Sequence, residues 1–127
     1  MSQRTAVVTG ASSGIGAASA RALAADGWHV IIGARRVDRL EKLAEEIGGT
    51  ALRLDVTDQD SVDEFCAAVE SCDLLLNNAG GALGTASIAE GDVDEWQWMY
   101  DVNVLGTLRV TKALLPKLIA SGDGQVI

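Results

Sequence analysis

Short runs of consecutive apolar residues alternate with longer stretches of helical spacing along all 127 residues of the chain. Ala6, Val7 and Val8 lie in the first run, Thr5–Thr9, which is apolar on successive positions as a strand buried on both faces must be. An alanine-rich stretch, Gly14–Ala25, predicts a helix that stops at Asp26-Gly27. Val30, Ile31 and Ile32 predict a second buried strand. Val37, Leu40, Leu43, Ala44 and Ile47 then recur at helical spacing with charges between them, and Gly48-Gly49 closes that helix. Residues 51–54 predict a third strand running into Asp55. Thr57-Asp58-Gln59-Asp60 has the character of a capped helix start, with Val62, Phe65, Cys66 and Val69 as the apolar face behind it. Leu74, Leu75 and Leu76 predict a fourth strand ending at Asn77-Asn78-Ala79-Gly80. Beyond a glycine-bearing loop, a long helix is predicted over 93–120, kinked or tightened by Pro116. Gln125, Val126 and Ile127 open a fifth strand.

Strands and helices in this alternation predict an α/β fold, a doubly wound parallel sheet with right-handed crossovers and helices on both faces. The apolar runs leave the strand order open, and a flavodoxin-like order fits them as well. No internal repeat beyond the βα unit, low-complexity tract or linker divides the chain, so it reads as part of one domain.

Composition changes this picture little. Apolar residues make up 48% and charged residues 22%, as in an ordinary globular domain. A net charge of −8 argues against a nucleic-acid or anionic-membrane surface, although backbone N–H groups and an arginine can still hold a small anion. No apolar run approaches membrane-span length, and Met1-Ser2-Gln3-Arg4 leads into a strand without a signal-peptide core. A cytoplasmic location is therefore the expectation. Cys66 and Cys72, six apart on a predicted helix with no histidine near, suit neither a metal site nor a disulfide framework. Buried thiols in a reducing compartment are expected. His29, the single histidine, is expected to be exposed or capping, and Trp96, Trp98 and Tyr100 are expected to pack the long helix. Asp92, Asp94 and Glu95 suit a helix N-terminus.

The candidate chemistry begins at Thr9-Gly10-Ala11-Ser12-Ser13-Gly14-Ile15-Gly16. A strand that breaks at glycine and restarts as a helix leaves backbone N–H groups unpaired at the positive end of the helix dipole, which is a site for phosphate. Gly10 permits the tight turn, Gly14 lets a pyrophosphate approach the backbone, and Gly16 lets the helix pack close on the sheet. The spacing is G-x3-G-x-G, not the general G-x-G-x-x-G, and a plain structural turn is the alternative. About 20 residues on, where an acidic residue would select NAD, stands Gly33-Ala34-Arg35-Arg36 with no carboxylate. A guanidinium there can fork onto a 2′-phosphate, which favours NADP(H) with NAD(H) possible; otherwise the two arginines simply start a solvated helix.

Together with Leu54-Asp55-Val56, Asn77-Asn78-Ala79-Gly80 and Asp101-Val102-Asn103-Val104-Leu105-Gly106, these segments follow in order at fitting spacings over the whole chain. The chain resembles the short-chain dehydrogenase/reductase family in its TGxxxGxG, NNAG branch. The resemblance implies a Rossmann-type sheet in strand order 3-2-1-4-5-6-7. It also implies that Ser12, Ser13, Gly14 and Ile15 wrap the pyrophosphate, flanked by Gly10 and Gly16, while Arg35, with Arg36, holds the 2′-phosphate. Asp55 would accept from the adenine amino group beside the Val56 backbone. Asn78, Ala79 and Gly80 would line the cofactor cleft, with Asn77 bracing the sheet. Asn103 resembles the catalytic asparagine, whose side chain or local helix distortion holds a water in the proton relay.

In the family a serine and a Tyr-x-x-x-Lys pair complete catalysis, and this chain ends before them. Tyr100 is followed four residues on by Val104, so it is no substitute. The expectation is the amino-terminal part of an oxidoreductase about twice as long, moving a hydride between nicotinamide and a carbonyl or alcohol substrate. The chain alone is expected to be inactive, with residues 74–77 on an unprotected apolar edge. The family likeness further implies a homo-oligomer through the 93–120 helix. A non-catalytic nucleotide-binding or self-associating module ending at Ile127 is the alternative.

Overall fold

Thr5–Thr9 (β1) is buried along its entire length, so both faces of this strand must be covered by other elements. The computed structural model describes residues 3–12, 14–80 and 87–127. After β1 come Gly14–Ala25 (α1), His29–Ala34 (β2), Val37–Ile47 (α2), Thr50–Arg53 (β3), Gln59–Ala68 (α3) and Leu74–Leu76 (β4). A short 3-10 turn, Ile88–Glu90, precedes Val93–Tyr100 (α4), a π turn at Asp101–Leu105, Gly106–Ala120 (α5) and Gln125–Val126 (β5). The sheet order is β3-β2-β1-β4-β5, with every pair parallel. The chain thus winds outward from β1 to β3, then crosses back to lay β4 on the other side of β1. That reversal opens a crevice at the carboxyl ends of β1 and β4.

Alternation along the strands sorts the core into two layers. Val7, Ile31 and Leu75 face α3 and α5, meeting Val62, Phe65, Val110, Leu114 and Leu118. Val8, Val30 and Ile32 face α1 and α2, meeting Ala17, Ala20, Leu40 and Leu43. Helix ends follow the predicted chemistry. Gly48 adopts a left-handed conformation (φ 68°) that closes α2. The Asp58 side chain accepts from the Asp60 N–H at the start of α3, and Asp92 does the same for Asp94 at α4. At the other end of α3, the Lys117 ammonium reaches across from α5 and donates to Cys66 O (2.6 Å) and to Val69 O.

Several expectations are corrected. Strand β2 is longer than Val30–Ile32 and takes in Gly33 and Ala34, because β1 pairs with it as far as Thr9↔Gly33 and β3 as far as Ala34↔Arg53. His29 opens that strand, half-buried, and its N–H donates to Arg4 O. Cys72 is not on a helix: α3 ends at Ala68, and Cys72 lies in the connection to β4. Both thiols are free and buried, and burial pushes each up to about 11. The single long helix is interrupted at Asp101–Leu105, whereas Pro116 lies within α5. There the Gly106 N–H reaches back five residues to Asp101 O, the signature of a π turn.

Trp98 packs against the core, but Trp96 and Tyr100 are more than half exposed. The edge at residues 74–77 is not open either. Gln125–Val126 pairs with β4, Ile127 N–H donates to Leu75 O, and Asn77 N–H donates to Ile127 O, both at 2.9 Å.

Candidate functional site

The crevice at the switch point is a cleft of about 280 Å³. Its walls come from the ends of four strands: Gly10 and Ser12 after β1, Ala34, Arg35 and Arg36 after β2, Asp55 and Val56 after β3, and Asn78, Ala79 and Gly80 after β4. Nine of the predicted site residues are therefore brought to one place. Ser13 lies outside the described residues. Gly14 (φ 61°) begins α1 with open space beside it, Ile15 is largely exposed, and Gly16 is buried beneath the cleft floor.

Two of the glycines are required by close approach. A Cβ on Gly10, whose φ is already 63°, would lie 2.8 Å from Asn78 O and 2.9 Å from Ala79 N. A Cβ on Gly16 would lie 2.4 Å from Gly10 O and 2.5 Å from Asn78 Nδ2. The turn after β1 and the loop after β4 are thus in backbone contact, and the start of α1 sits directly upon both.

Thr9, which the sequence reading passed over, ties this junction together. Its buried Oγ1 accepts from the N–H groups of Asn78 and Ala79, each at 3.0 Å. The hydroxyl proton points to Leu76 O at 3.5 Å. Asn78 returns the link by donating from Nδ2 to Gly10 O at 3.0 Å. Asn77 faces the other way, donating from Nδ2 to Thr111 Oγ1 on α5 at 3.0 Å, and braces the sheet against that helix.

Asp55 is held rather than loose. Its Oδ1 accepts from Thr57 Oγ1 (2.6 Å) and Thr57 N–H (3.0 Å), while its own N–H donates to Ser61 Oγ at 2.9 Å. The Thr57 hydroxyl bond is the main reason its carboxyl titrates below the usual range; Arg35 and Arg53 add to the effect, and partial burial opposes it. Neither Thr57 nor Ser61 was anticipated as part of the site, although Asp-x-Thr is a side-chain turn spacing that sequence can show. Gly33, Leu54, Trp98 and Val102 also line the cleft unannounced. Gly33 is explained by α3: a Cβ there would lie 2.7 Å from the Phe65 ring.

Asn103 is exposed, in the middle of the π turn. A Cβ on Gly80 would lie 2.5 Å from Asn103 Oδ1, so the asparagine side chain rests against the loop that follows β4. Its carbonyl accepts from Thr107 Oγ1 at 3.0 Å. Among the described residues there is no group of His, Cys, Asp and Glu placed to hold a metal ion, and no helix long and apolar enough to cross a membrane.

Residues 4–127 match the family model described as short chain dehydrogenase. The chain belongs to the short-chain dehydrogenase family. It is 59% identical over 125 residues to an uncharacterized oxidoreductase of Mycobacterium tuberculosis, covering 98% of this chain and 50% of that protein. To the serine 3-dehydrogenase of Agrobacterium fabrum it is 44% identical, covering 91% of this chain and 49% of the relative. The chain spans about half the length of the curated relatives it matches. Among solved structures, an alcohol dehydrogenase from the archaeon Thermococcus sibiricus complexed with 5-hydroxy-NADP superposes with a TM-score of 0.90 at 40% identity. That match covers 98% of this chain and 57% of the other. The closed form of a serine dehydrogenase complexed with NADP+ gives 0.90 at 33% identity, covering 96% and 52%.

The hold on Asp55 has a pH signature. Its folded carboxyl titrates below the unfolded one, so its contribution to stability is present above the unfolded carboxylate range of about 3.9 and is lost as pH falls through the folded value. Thr57→Ala is expected to bring the Asp55 carboxyl back toward its ordinary range and to shrink the loss of stability on acidification. Carbon-detected NMR titration of Asp55 checks this, and an unchanged midpoint in the variant would contradict it.

Proposed function

We propose that this chain supplies the nucleotide-binding part of an NADP(H)-dependent oxidoreductase that moves a hydride between nicotinamide and a small carbonyl or alcohol substrate. The observation that carries the reading is the convergence of the glycine turn, Arg35 and Arg36, Asp55, and Asn78 to Gly80 on one cleft at the switch point of a parallel sheet. Solved relatives of the same fold are complexes with NADP+ and 5-hydroxy-NADP, which supports that class of ligand.

The residues fit such a cofactor. The cradle left by Gly10 and Gly14 lies at the N-terminus of α1, where backbone N–H groups and the helix dipole favour a pyrophosphate. Ser12 would add a hydroxyl, and Ile15, with Ser13 outside the described residues, is proposed to complete the wrap. Arg35 and Arg36, both exposed at the cleft mouth, would take the 2′-phosphate. Asp55 commits Oδ1 to Thr57, which leaves Oδ2 to accept from the adenine amino group beside Val56. When bound, the nicotinamide carries the hydride; the protein orients it.

Asn103, set by the π turn against Gly80, would hold a water in the proton relay. The serine and Tyr-x-x-x-Lys of the family pattern are not among these 127 residues, so the chain alone is expected to bind cofactor without turnover. A second copy is proposed to cover the outer face of α4 and α5. There Val93, Trp96, Tyr100, Val104, Leu108, Leu115 and Ile119 are exposed, and a groove of about 700 Å³ opens. Sedimentation of the full-length protein tests this; a Leu108→Glu variant that sediments like the wild type would overturn it.

Arg35→Asp tests the cofactor reading. Losing a charge-assisted contact of about 1.5–3 kcal/mol weakens NADPH binding by roughly tenfold or more, while NADH binding holds or improves. Fluorescence titration with both cofactors reads the ratio. If neither affinity moves, Arg35 does not contact the 2′-phosphate.

A further inference from the structure

The π turn that carries Asn103 is held from outside by a residue with no place in the cleft chemistry. Arg109 stands one helical turn into α5, and its Nη1 donates to Val56 O at 2.9 Å. The same nitrogen faces Asp101 Oδ1 at 2.7 Å, and that oxygen is shut off from solvent and accepts no aligned hydrogen bond among the described residues. Asp101 is the first residue of the π turn and accepts at its carbonyl from the Gly106 N–H. Gly106 in turn lies against Val56: a Cβ there would sit 2.7 Å from Val56 Cγ2 and 2.9 Å from Val56 Cβ. Val56 itself is a wall of the cleft. One guanidinium therefore ties the loop after β3 to the start of the π turn, and the glycine beneath it lets the two surfaces meet.

We propose that Arg109 is a positioning residue: by bridging Asp101 and the Val56 carbonyl it fixes the π turn in place, and with it Asn103 against Gly80. A π turn lacks the uniform hydrogen-bond ladder of an α-helix and persists where its surroundings hold it. Here the holding groups are a charge on a half-buried carboxylate, one of whose oxygens is shut off from water, and a backbone carbonyl of the opposite wall. Removing the guanidinium leaves Asp101 without its counter-charge and frees the turn to relax toward α geometry, which rotates every residue after the insertion about the helix axis. The consequence for turnover rests on the role proposed above for Asn103; the holding of the turn does not.

Amide hydrogen exchange on this chain tests the holding. Arg109→Met is expected to raise exchange at residues 102–106 by about tenfold while the β1 and β2 amides stay protected. Unchanged exchange at 102–106 overturns the proposal. Should that variant loosen the whole sheet, Asp101→Asn, which keeps the shape and removes the charge, is expected to raise exchange locally; a flat or global response there overturns it too. Kinetics on the full-length protein test the consequence. Arg109→Met is expected to lower kcat for NADPH-dependent carbonyl reduction by on the order of tenfold to a hundredfold, and Arg109→Lys to recover part of it. In an Asn103→Ala background the same change is expected to cost less than about twofold. An undiminished loss in that background contradicts action through Asn103. If Asn103→Ala alone left kcat intact, the relay reading would fall, and the exchange result would still decide the role of Arg109.

Discussion

The backbone contact between the turn after β1 and the loop after β4 is the constraint from which the rest of the site follows. Gly10 and Gly16 allow it, since neither position has room for a Cβ. Thr9 Oγ1 secures it by accepting from two consecutive N–H groups of the β4 loop. Because β1 and β4 are neighbours while the chain between them runs out to β3 and back, this junction is also where the sheet reverses. Bringing the two strand ends together does two things at once. It seats the N-terminus of α1 over the crevice, and it aims the loop of Asn78 to Gly80 at the π turn on the other layer.

Charge is arranged locally against the overall balance. The chain carries a net −8, yet the mouth of the cleft presents Arg35 and Arg36, with Arg53 near enough to bias Asp55. An anion approaching this protein gains nothing from the total field and depends on N–H groups, a helix dipole and those guanidiniums at short range. Asp55 tolerates the same neighbourhood because Thr57 binds its carboxylate form directly. The acidic and basic groups of the site are therefore compatible, each with its own partner.

Much of this was legible in the sequence. Consecutive apolar positions at Val7-Val8, Ile31-Ile32 and Leu74 to Leu76 announce strands buried on both faces. Glycine and arginine at fixed distances from β1 marked the cleft. Two kinds of feature were not legible in the residue pattern, although the family resemblance allowed a local helix distortion at Asn103. The π turn inserts one residue into an otherwise helical pattern, and the periodicity of 93–120 reads as one helix whether or not a residue is added near Asn103. Exposure of Trp96 and Tyr100 was hidden for the same reason, since apolar spacing cannot say which face of a helix lacks a partner. Thr9, Thr57 and Arg109 act through bonds to carbonyls, N–H groups and carboxylates that are assembled by folding, and only the Asp-x-Thr spacing leaves a local trace.

The role proposed for the switch-point cleft is to bind a dinucleotide. It is tested most directly by following backbone amide resonances of this chain during titration with NADP+. Changes are expected to concentrate at Gly10, Ser12 and Gly14, at 33–36, at 54–57 and at 78–80, with the outer groove of α4 and α5 left undisturbed. Saturation with no change at those amides, or changes confined to the groove lined by Trp96, Tyr100 and Leu105, would contradict it.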